Sequence, residues 1–313
     1  MITVKGLTRS YGDFRAVDDI SFTINEGEIT GLLGPNGAGK TTTLRMLSGY
    51  LKPDSGSIVF DGIDAAADPI QIKKMIGYLP ESAPLYSDMM VFDYLCYVAE
   101  LRAIENAANR IREIASLCRI QEVMHKNISE LSKGYKQRVG LAHAMIHDPK
   151  VLILDEPTSG LDPIEIIEIR NLIRELGKKK TVILSTHILP EVEATCGKVI
   201  IINRGKIVAD DATSKLQSSA GRDRNIIIRV SGTGFDGLDS MLKSIHGVSN
   251  VAKIDDSELT SAIATVSGVT DVRADIFRAV CSSGWVMYEM KQEHTSLENI
   301  FRELTTGGQN EQV

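Results

Sequence analysis

The residues best suited to chemistry in this chain form one octapeptide near its start. It reads Gly34-Pro35-Asn36-Gly37-Ala38-Gly39-Lys40-Thr41 and fits the pattern G-x-x-x-x-G-K-[ST]. Its glycines let successive backbone N–H groups point into one concavity, where Lys40 can reach the outer phosphates of a nucleotide and the Thr41 hydroxyl can bind Mg²⁺. The apolar run 29–33 before it predicts a strand. The segment 42–47 after it predicts a helix, whose amino end favours an anion. The octapeptide therefore predicts a nucleotide phosphate site.

A second candidate is a pair of acids that follows four apolar residues, 151–154. The apolar run is typical of a buried parallel strand. Asp155 at its end can hold Mg²⁺, directly or through water, and Glu156 can polarise the water that attacks a γ-phosphate. The pair alone also fits a strand that ends in surface acids, and the phosphate loop alone leaves kinases, GTPases and ATPases open.

Further motifs narrow these alternatives. The chain contains Leu79-Pro80-Glu81, then LSKGYKQR at 131–138, SGLD at 159–162, and Ser185-Thr186-His187 at the end of a later strand. Together with the phosphate loop and the acidic strand end, this order resembles the ATP-binding-cassette (ABC) transporter ATPases. The resemblance covers residues 1 to about 216.

The resemblance implies a role for each matching position. Tyr11 matches the aromatic residue that stacks on adenine, and stacking selects bases only weakly. Glu156 matches the family's catalytic carboxylate, and His187 matches the histidine that contacts the γ-phosphate and helps to position water. The implied ATP-binding residues on this side are Tyr11, Gly34, Pro35, Asn36, Gly37, Ala38, Gly39, Lys40, Thr41 and Thr42, and the implied Mg²⁺ set is Thr41, Glu81 and Asp155.

Ser132 and Gly134 belong to the family's signature segment, which contacts the ATP of the opposite subunit from a helix amino end. The resemblance thus implies two half-sites that form only when two domains close face to face. This chain carries one set of motifs, so it needs a second copy or a paralogue. Asp162 would lie at the seam.

The chain departs from the commonest family pattern in two places. Glu81 stands where many members carry Gln; a carboxylate can reach Mg²⁺ but cannot donate a hydrogen bond as an amide does. Lys133 and Tyr135 interrupt the usual Leu-Ser-Gly-Gly-Gln. Both variants resemble the branch that pairs with type-two, export-style permeases, which includes gliding-motility and multidrug exporter ATPases. Lys133 is either a surface charge or a cation near the partner's γ-phosphate in the closed dimer.

Length and composition set broad limits. At 313 residues two domains are expected, and a hydrophobic fraction of 43% with 24% charged residues is ordinary for a globular protein. The net charge of −6 disfavours a nucleic-acid partner. No apolar run is long enough to span a bilayer, residues 1–6 lack the plan of a secretion signal, and four separated cysteines predict free thiols. We expect a cytoplasmic protein, peripheral on the cytoplasmic face of the cell membrane.

Up to about residue 216, β-rich runs alternate with helical stretches, which predicts an α/β ATPase domain with a largely parallel sheet. The predicted strands are 29–33, 57–60, 77–79, 151–154, 181–185 and 199–203. Residues 91–148 show helical periodicity, which predicts a helical subdomain over about 85–148. Residues 217–224 are small and polar and predict a linker, so that an accessory α+β domain occupies 225–313.

The accessory domain shows a weak internal repeat. Two β-α-β patterns occur in tandem, with strands predicted at 226–232, 248–254, 262–268 and 285–290, which favours a ferredoxin-like sandwich. The helical patterns between them contain Leu238, Met241, Leu242 and Ile245, and then Ile276, Phe277 and Val280. A capping box at 295–298 predicts a last helix, whose core-facing stripe is Leu297, Ile300, Phe301 and Leu304. This domain could aid dimerisation or regulation, or sense a small ligand.

The resemblance implies a motor subunit that closes in pairs on ATP, pushes on a separate permease, and is reset by hydrolysis. Segment 83–91, rich in apolar and Met residues, is expected to contact a short permease helix, although it could also fold against the helical subdomain. The alternative is a soluble ABC ATPase that acts on ribosomes or DNA. His143 and His147 have the spacing of a zinc hydrolase pair, but Ala144 stands where such enzymes need Glu, so we interpret them as ordinary helix residues.

Overall fold

The computed structural model describes residues 1–219, 223–256, 258–267, 271–293 and 301. The chain divides into two compact units, Met1–Thr213 and Ser214–Val313. Each unit has its own buried apolar core.

The first unit contains two sheets. A four-stranded antiparallel sheet has the order β2-β1-β4-β5 and consists of β1 Ile2–Tyr11, β2 Phe14–Ile24, β4 Ser55–Phe60 and β5 Ile63–Asp64. A six-stranded sheet has the order β10-β9-β3-β8-β7-β6 and consists of β3 Ile29–Leu33, β6 Ile76–Leu79, β7 Val151–Asp155, β8 Thr181–Thr186, β9 Lys198–Asn203 and β10 Lys206–Ala212. Its pairs are parallel except β10 on β9.

The helices of the first unit are α1 Lys40–Leu47, α2 Pro69–Met75, α3 Val91–Leu101, α4 Ala107–Leu117, α5 Lys133–Met145, α6 Pro163–Gly177 and α7 Leu189–Thr195. Helix α8 Thr213–Ser219 begins at the last residue of the first unit and otherwise belongs to the second. Helices α3, α4 and α5, with two short 3₁₀ turns at Gln121–Val123 and Ile128–Glu130, occupy the segment predicted as a helical subdomain.

Four predictions differ from the structure. The strand predicted at 57–60 belongs to the antiparallel sheet, because β4 pairs with β1 and β5. Strands β1, β2, β5 and β10 are not among the predicted strands. Helix α8 covers part of the segment predicted as a linker. Helix α5 ends at Met145, so His147 lies beyond it rather than on its face.

The six-stranded sheet brings the chemical motifs to one edge. Strands β3, β7 and β8 are neighbours and run parallel, so their carboxyl ends meet. Every residue of β7 and of β8 is buried, as expected for strands covered on both faces. The loop 34–39 directly follows β3, Asp155 is the last residue of β7, and His187 directly follows β8. The sheet therefore sets the spacing of these groups.

The second unit is the predicted ferredoxin-like sandwich. Its elements are β11 Asp223–Ser231, α9 Phe235–Lys243, β12 Val248–Ile254, β13 Thr260–Ser267, α10 Arg273–Ser282 and β14 Val286–Glu293, in the sheet order β12-β13-β11-β14 with every pair antiparallel. Leu238, Leu242, Ile276 and Val280 are buried in its core as predicted, but Phe277 is 51% exposed. The predicted last helix, including Leu297, Ile300 and Leu304, lies outside the described residues.

Candidate nucleotide-binding site

The loop between β3 and α1 has a backbone that only glycine accommodates easily. Gly37 and Gly39 have φ angles of 78° and 107°, in the left-handed region. A Cβ on Gly39 would lie 2.4 Å from the carbonyl oxygen of Ala16, and one on Gly34 would lie 2.3 Å from that of Ile202. The loop is therefore fixed in shape and packed closely against neighbouring backbone.

Lys40, the first residue of α1, is folded back over this loop. Its side chain is 6% exposed, and its Nζ donates to the carbonyl oxygens of Gly34 at 2.8 Å and Pro35 at 3.2 Å. It also lies 3.4 Å from Oε1 of Glu156. The ammonium is thus held at the concave face of the loop, where the phosphates are predicted to bind.

Asp155, at the end of β7, contacts Thr41, and both belong to the predicted Mg²⁺ set. Its Oδ1 accepts hydrogen bonds from the Thr41 hydroxyl at 3.1 Å and from Ser185 Oγ at 2.6 Å. A carboxylate and a hydroxyl at one point are the hard oxygen ligands that suit Mg²⁺, which also keeps waters and substrate phosphate oxygens. The described residues hold no cluster of three His, Cys, Asp or Glu side chains. The site therefore fits Mg²⁺ bound jointly with a nucleotide.

Glu156 and His187 form a pair across the ends of β7 and β8. Glu156 Oε2 lies 2.9 Å from His187 Nδ1. The Glu156 backbone has a φ of 47°, a strained conformation that its N–H bond to Ser185 Oγ, at 2.9 Å, helps to hold. Glu156 is buried, whereas the His187 side chain is 46% exposed. The pair therefore has its acid inside and its imidazole at the mouth of the site.

Most of these groups line one cavity of about 480 Å³, whose walls include Tyr11, Phe14, Ala16, Asn36, Gly37, Ala38, Gly39, Lys40, Thr41, Thr42, Glu81, Glu156, Ser159 and His187. Gly34, Pro35 and Asp155 do not line it, although Asp155 is hydrogen-bonded to Thr41, which does. Glu81 lies at its edge and accepts a hydrogen bond from Ser159 Oγ at 3.3 Å.

Two exposed aromatic side chains, Tyr11 and Phe14, flank the entrance of this cavity. The Arg9 guanidinium lies 5.3 Å from the centre of the Tyr11 ring. Phe14 is not among the residues predicted from the sequence. It is a second aromatic residue close to Tyr11, across the turn at Gly12 that joins β1 to β2, and this proximity is the signal that could have identified it. The two rings form an apolar rim on which a base can stack.

Ser132 and Gly134 do not line this cavity. They lie at the amino end of α5, where Ser132 Oγ accepts from the Tyr135 N–H at 3.2 Å and donates to Glu165 Oε1 at 3.4 Å. A Cβ on Gly134 would lie 2.1 Å from that same carboxylate oxygen. Asp162 caps α6, because its Oδ1 accepts from two N–H groups in the first turn of the helix.

Lys133 lies against the loop that follows Glu156. A Cβ on Gly160 would be only 2.2 Å from Lys133 Nζ.

His143 and His147 have separate partners. His143 Nδ1 lies 2.7 Å from the Tyr94 hydroxyl, and His147 Nε2 lies 3.0 Å from the carbonyl oxygen of Ile76. Burial lowers the pKa of His147 to about 4, with Arg102 adding to the shift. Its Nδ1 is buried without a hydrogen-bond partner in the described structure. This geometry fits a neutral packed imidazole.

A glycine-rich loop between a parallel strand and a helix, with a carboxylate for Mg²⁺ on the neighbouring strand end, defines a P-loop nucleotide-hydrolysing enzyme. Residues 17–159 match the family described as ABC transporter. The chain belongs to the ABC transporter ATP-binding proteins and is an ATP-binding, ATP-hydrolysing transporter subunit, as the sequence analysis expected.

Three similar proteins illustrate this. An uncharacterized ABC transporter ATP-binding protein of Bacillus subtilis, YxlF, is 42% identical over 66% of this chain and 69% of its own length. Another from that organism, YhaQ, is 33% identical over 97% of this chain and 98% of its own. The solved structure of cbiO1 from Clostridium perfringens, part of the ABC transporter complex cbiONQ, is 30% identical, with a TM-score of 0.64 over 70% of this chain and 91% of its own. In the part of this chain that the structure describes, no helix combines the length and apolar character that a bilayer crossing requires.

Proposed function

We propose that two copies of this chain close face to face around two ATP molecules and power export through a separate membrane permease. One observation carries the proposal. The cavity is lined by most of the phosphate loop, by the Mg²⁺-ligand candidate Thr41 and by the Glu156–His187 pair, whereas Ser132 and Gly134 lie outside it at the amino end of α5, where Ser132 is exposed and Gly134 is buried. A symmetric pair lets the α5 end of each copy meet the cavity of the other.

Within each closed site the side chains divide the work. Thr41 and Asp155 hold Mg²⁺, which neutralises charge on the β- and γ-phosphates when bound. Lys40 exchanges its loop carbonyls and Glu156 for phosphate oxygens. Glu156 then orients and polarises the attacking water, and His187, tied to Glu156 through Nδ1, presents Nε2 to the γ-phosphate.

The test of this proposal uses Glu156→Gln, which keeps the shape of the side chain but removes its charge. We expect the variant to accumulate a dimer in the presence of Mg²⁺-ATP, measured by light scattering, while turnover falls. Lys40→Ala is the matched control, since it removes the phosphate contact and should stay monomeric. A Glu156→Gln protein that stays monomeric at saturating ATP would contradict the proposal.

The permease is proposed to dock in a second cavity of the first unit, of about 520 Å³. The predicted docking segment contributes Ala83, Pro84 and Leu85 to its wall. Tyr86 stands 54% exposed beside it and packs edge-on against Tyr94, with ring centres 5.9 Å apart. Val91, the end of the segment, is buried as the first residue of α3. A short helix with an apolar face fits this groove.

The charges of the groove suggest what that helix carries. Arg45, Lys73 and Arg102 line it, and no carboxylate belongs to its described walls. None of the three forms an ion pair with a described residue; Arg102 donates to the Lys73 carbonyl oxygen at 3.3 Å. We therefore expect the docking helix to present an acidic residue, since opposite charge fixes orientation and excludes wrong partners.

Permease docking is testable by co-purification. Replacing Tyr86 and Met89 with Asp should release the permease, because the change puts negative charge on the segment that contributes Ala83, Pro84 and Leu85 to the groove. Phe92→Asp is the control, since Phe92 is 48% exposed on α3 and lies outside the predicted docking segment 83–91. Unchanged recovery of the permease with the Tyr86 and Met89 double variant would place the contact elsewhere.

Assignment to the export branch rests on the resemblance carried by Glu81, Lys133 and Tyr135. For the accessory domain predicted at 225–313 we propose a role in dimerisation or regulation, with ligand sensing as the alternative. The first unit has its own sheets and core. Removing residues 222–313 and measuring ATP-dependent dimer formation separately from ATPase activity tests this, and a truncated protein that matches the full chain in both would contradict both roles.

A further inference from the structure

A buried carboxylate lies beside the nucleotide cavity without lining it. Glu191, in the first turn of α7, is 4% exposed. It accepts hydrogen bonds from Thr158 Oγ1 at 2.6 Å and from Thr186 Oγ1 at 2.8 Å, and both hydroxyls are buried. No cation pairs with it among the described residues. A buried charge costs free energy unless its hydrogen bonds are satisfied, so this arrangement depends on both threonines.

The two threonines belong to the segments that carry the catalytic pair. Thr158 lies two residues after Glu156, and Thr186 directly precedes His187. The backbone pairing of β7 with β8 ends at Asp155 opposite Ser185. Beyond that point the two segments separate, and side chains bridge them. The bridges are the hydrogen bond from the Glu156 N–H to Ser185 Oγ, the Glu156–His187 contact, and the Thr158–Glu191–Thr186 chain.

We infer that Glu191 is a positioning residue for ATP hydrolysis: it clamps the two segments so that Glu156 stays opposite His187. Each carboxylate oxygen of Glu191 accepts a hydrogen bond from one threonine hydroxyl, so the carboxylate sets the distance between Thr158 and Thr186. The Ile188 N–H also donates to Thr186 Oγ1, at 3.0 Å, which orients that hydroxyl towards the carboxylate. This inference rests on the proposed catalytic roles of Glu156 and His187.

The position of Glu191 makes its expected effect specific. It contacts neither the phosphate loop nor the Mg²⁺ ligands, and it is absent from the cavity wall. Loss of the clamp should therefore disturb the geometry of the chemical step and leave nucleotide binding in place. A displacement of about 1 Å at a reacting group can lower the rate about 100-fold.

The experiment compares Glu191→Ala, Glu191→Gln and the control Glu193→Ala, an exposed carboxylate on the same helix. In steady-state ATPase assays we expect Glu191→Ala to lower kcat about 10- to 100-fold while the KM for ATP changes less than about threefold. Glu191→Gln should recover much of the loss, because its amide oxygen still accepts from one threonine and its amide group can donate to the other. Glu193→Ala should match the unmodified chain.

A second substitution separates positioning from general destabilisation. Thr158→Val removes one hydrogen bond at nearly constant volume and should also lower kcat, yet add little in the Glu191→Ala background, because both act through the same bridge. Unchanged kcat in Glu191→Ala and Thr158→Val would overturn the inference. So would a loss that glutamine does not rescue, or one that appears equally in KM. If Glu191→Ala does not fold, the Thr158→Val and Glu191→Gln results decide alone.

The same assays distinguish this inference from the proposed function. Full turnover in Glu156→Gln would remove the catalytic assignment on which Glu191 depends. Loss of turnover in Glu156→Gln with normal turnover in Glu191→Ala would leave the proposed function intact and overturn the clamp alone.

Discussion

Replacing Glu156 with Gln separates ATP binding from ATP hydrolysis. The substitution keeps the volume of the side chain, and an amide oxygen can still accept from His187. It removes the negative charge that polarises the attacking water. Positioned general bases contribute about 10²- to 10⁴-fold to rate, so we expect turnover to fall by at least about 100-fold, or about 2.7 kcal/mol in the barrier.

Binding should respond differently because Lys40 is paired with Glu156 before ATP arrives. At a separation of 3.4 Å, two unit charges at an effective dielectric constant of about 20 attract by about 5 kcal/mol. ATP must replace this contact. The cost of desolvating the charged groups offsets much of the attraction, both with and without ATP bound. We therefore expect the variant to bind ATP no more weakly than the unmodified chain, and up to about tenfold more tightly.

Two assays on the same samples measure these effects: phosphate release for turnover, and titration with a fluorescent ATP analogue for affinity. Glu81→Gln is the matched control. Glu81 is a second carboxylate on the same cavity, but it is exposed and is hydrogen-bonded to Ser159 rather than paired with Lys40. We expect it to lose less than about tenfold in turnover. Turnover of Glu156→Gln within threefold of the unmodified chain, or a weakening of ATP binding equal to the loss of turnover, would refute the reasoning.

Three further predictions concern the loop, the metal ligands and pH. Gly39→Ala should cost several kcal/mol in the free energy of urea unfolding, because its Cβ would lie 2.4 Å from the Ala16 carbonyl oxygen. A Cβ on Gly37 would meet nothing within 4 Å, so Gly37→Ala should cost only about 1–2 kcal/mol for its backbone strain. Equal costs for the two variants would contradict the geometry. Asp155→Asn should abolish most of the Mg²⁺-dependent gain in ATP affinity while leaving affinity in EDTA nearly unchanged, and an undiminished Mg²⁺ effect would exclude Asp155 as a ligand. The pKa of His147 is lowered from 6.5 to about 4, so its neutral form contributes fully to stability above pH 6.5, and this contribution is lost as the pH falls towards 4. The free energy of unfolding should therefore decline less between pH 7 and pH 5 in His147→Gln than in the unmodified chain. Identical slopes in the two proteins would count against the assignment.

The sequence predicted best what depends on neighbours along the chain. The segment Gly34–Thr41 and the acids after 151–154 are predictable because each follows directly on a strand. The end of an apolar run in the sequence marks where such a strand ends. The same is true of the tandem β-α-β units in the second unit.

What the sequence missed depends on pairing between distant segments. Strand β4 has an apolar run like those of the parallel strands, and only its pairing with β1 assigns it to the other sheet. Phe277 lies within an apolar helical pattern, yet the face it occupies is exposed because Ile276 and Val280 fill the core. Glu191 looks like any acid in an early helical turn, and its role becomes visible only when Thr158 and Thr186 are brought to it.

The central claim is that each copy offers half of a nucleotide site and its partner supplies Ser132. Complementation between two inactive variants tests this most directly. Lys40→Ala disables the cavity of a copy, and Ser132→Arg disables the edge it offers to the partner. Each variant alone should be inactive, but an equimolar mixture should regain ATPase activity, because a mixed pair contains one intact composite site, formed by the cavity of the Ser132→Arg copy and the α5 end of the Lys40→Ala copy. A Ser132→Arg protein that hydrolyses ATP at the full rate by itself, or a mixture that recovers nothing, would contradict the account.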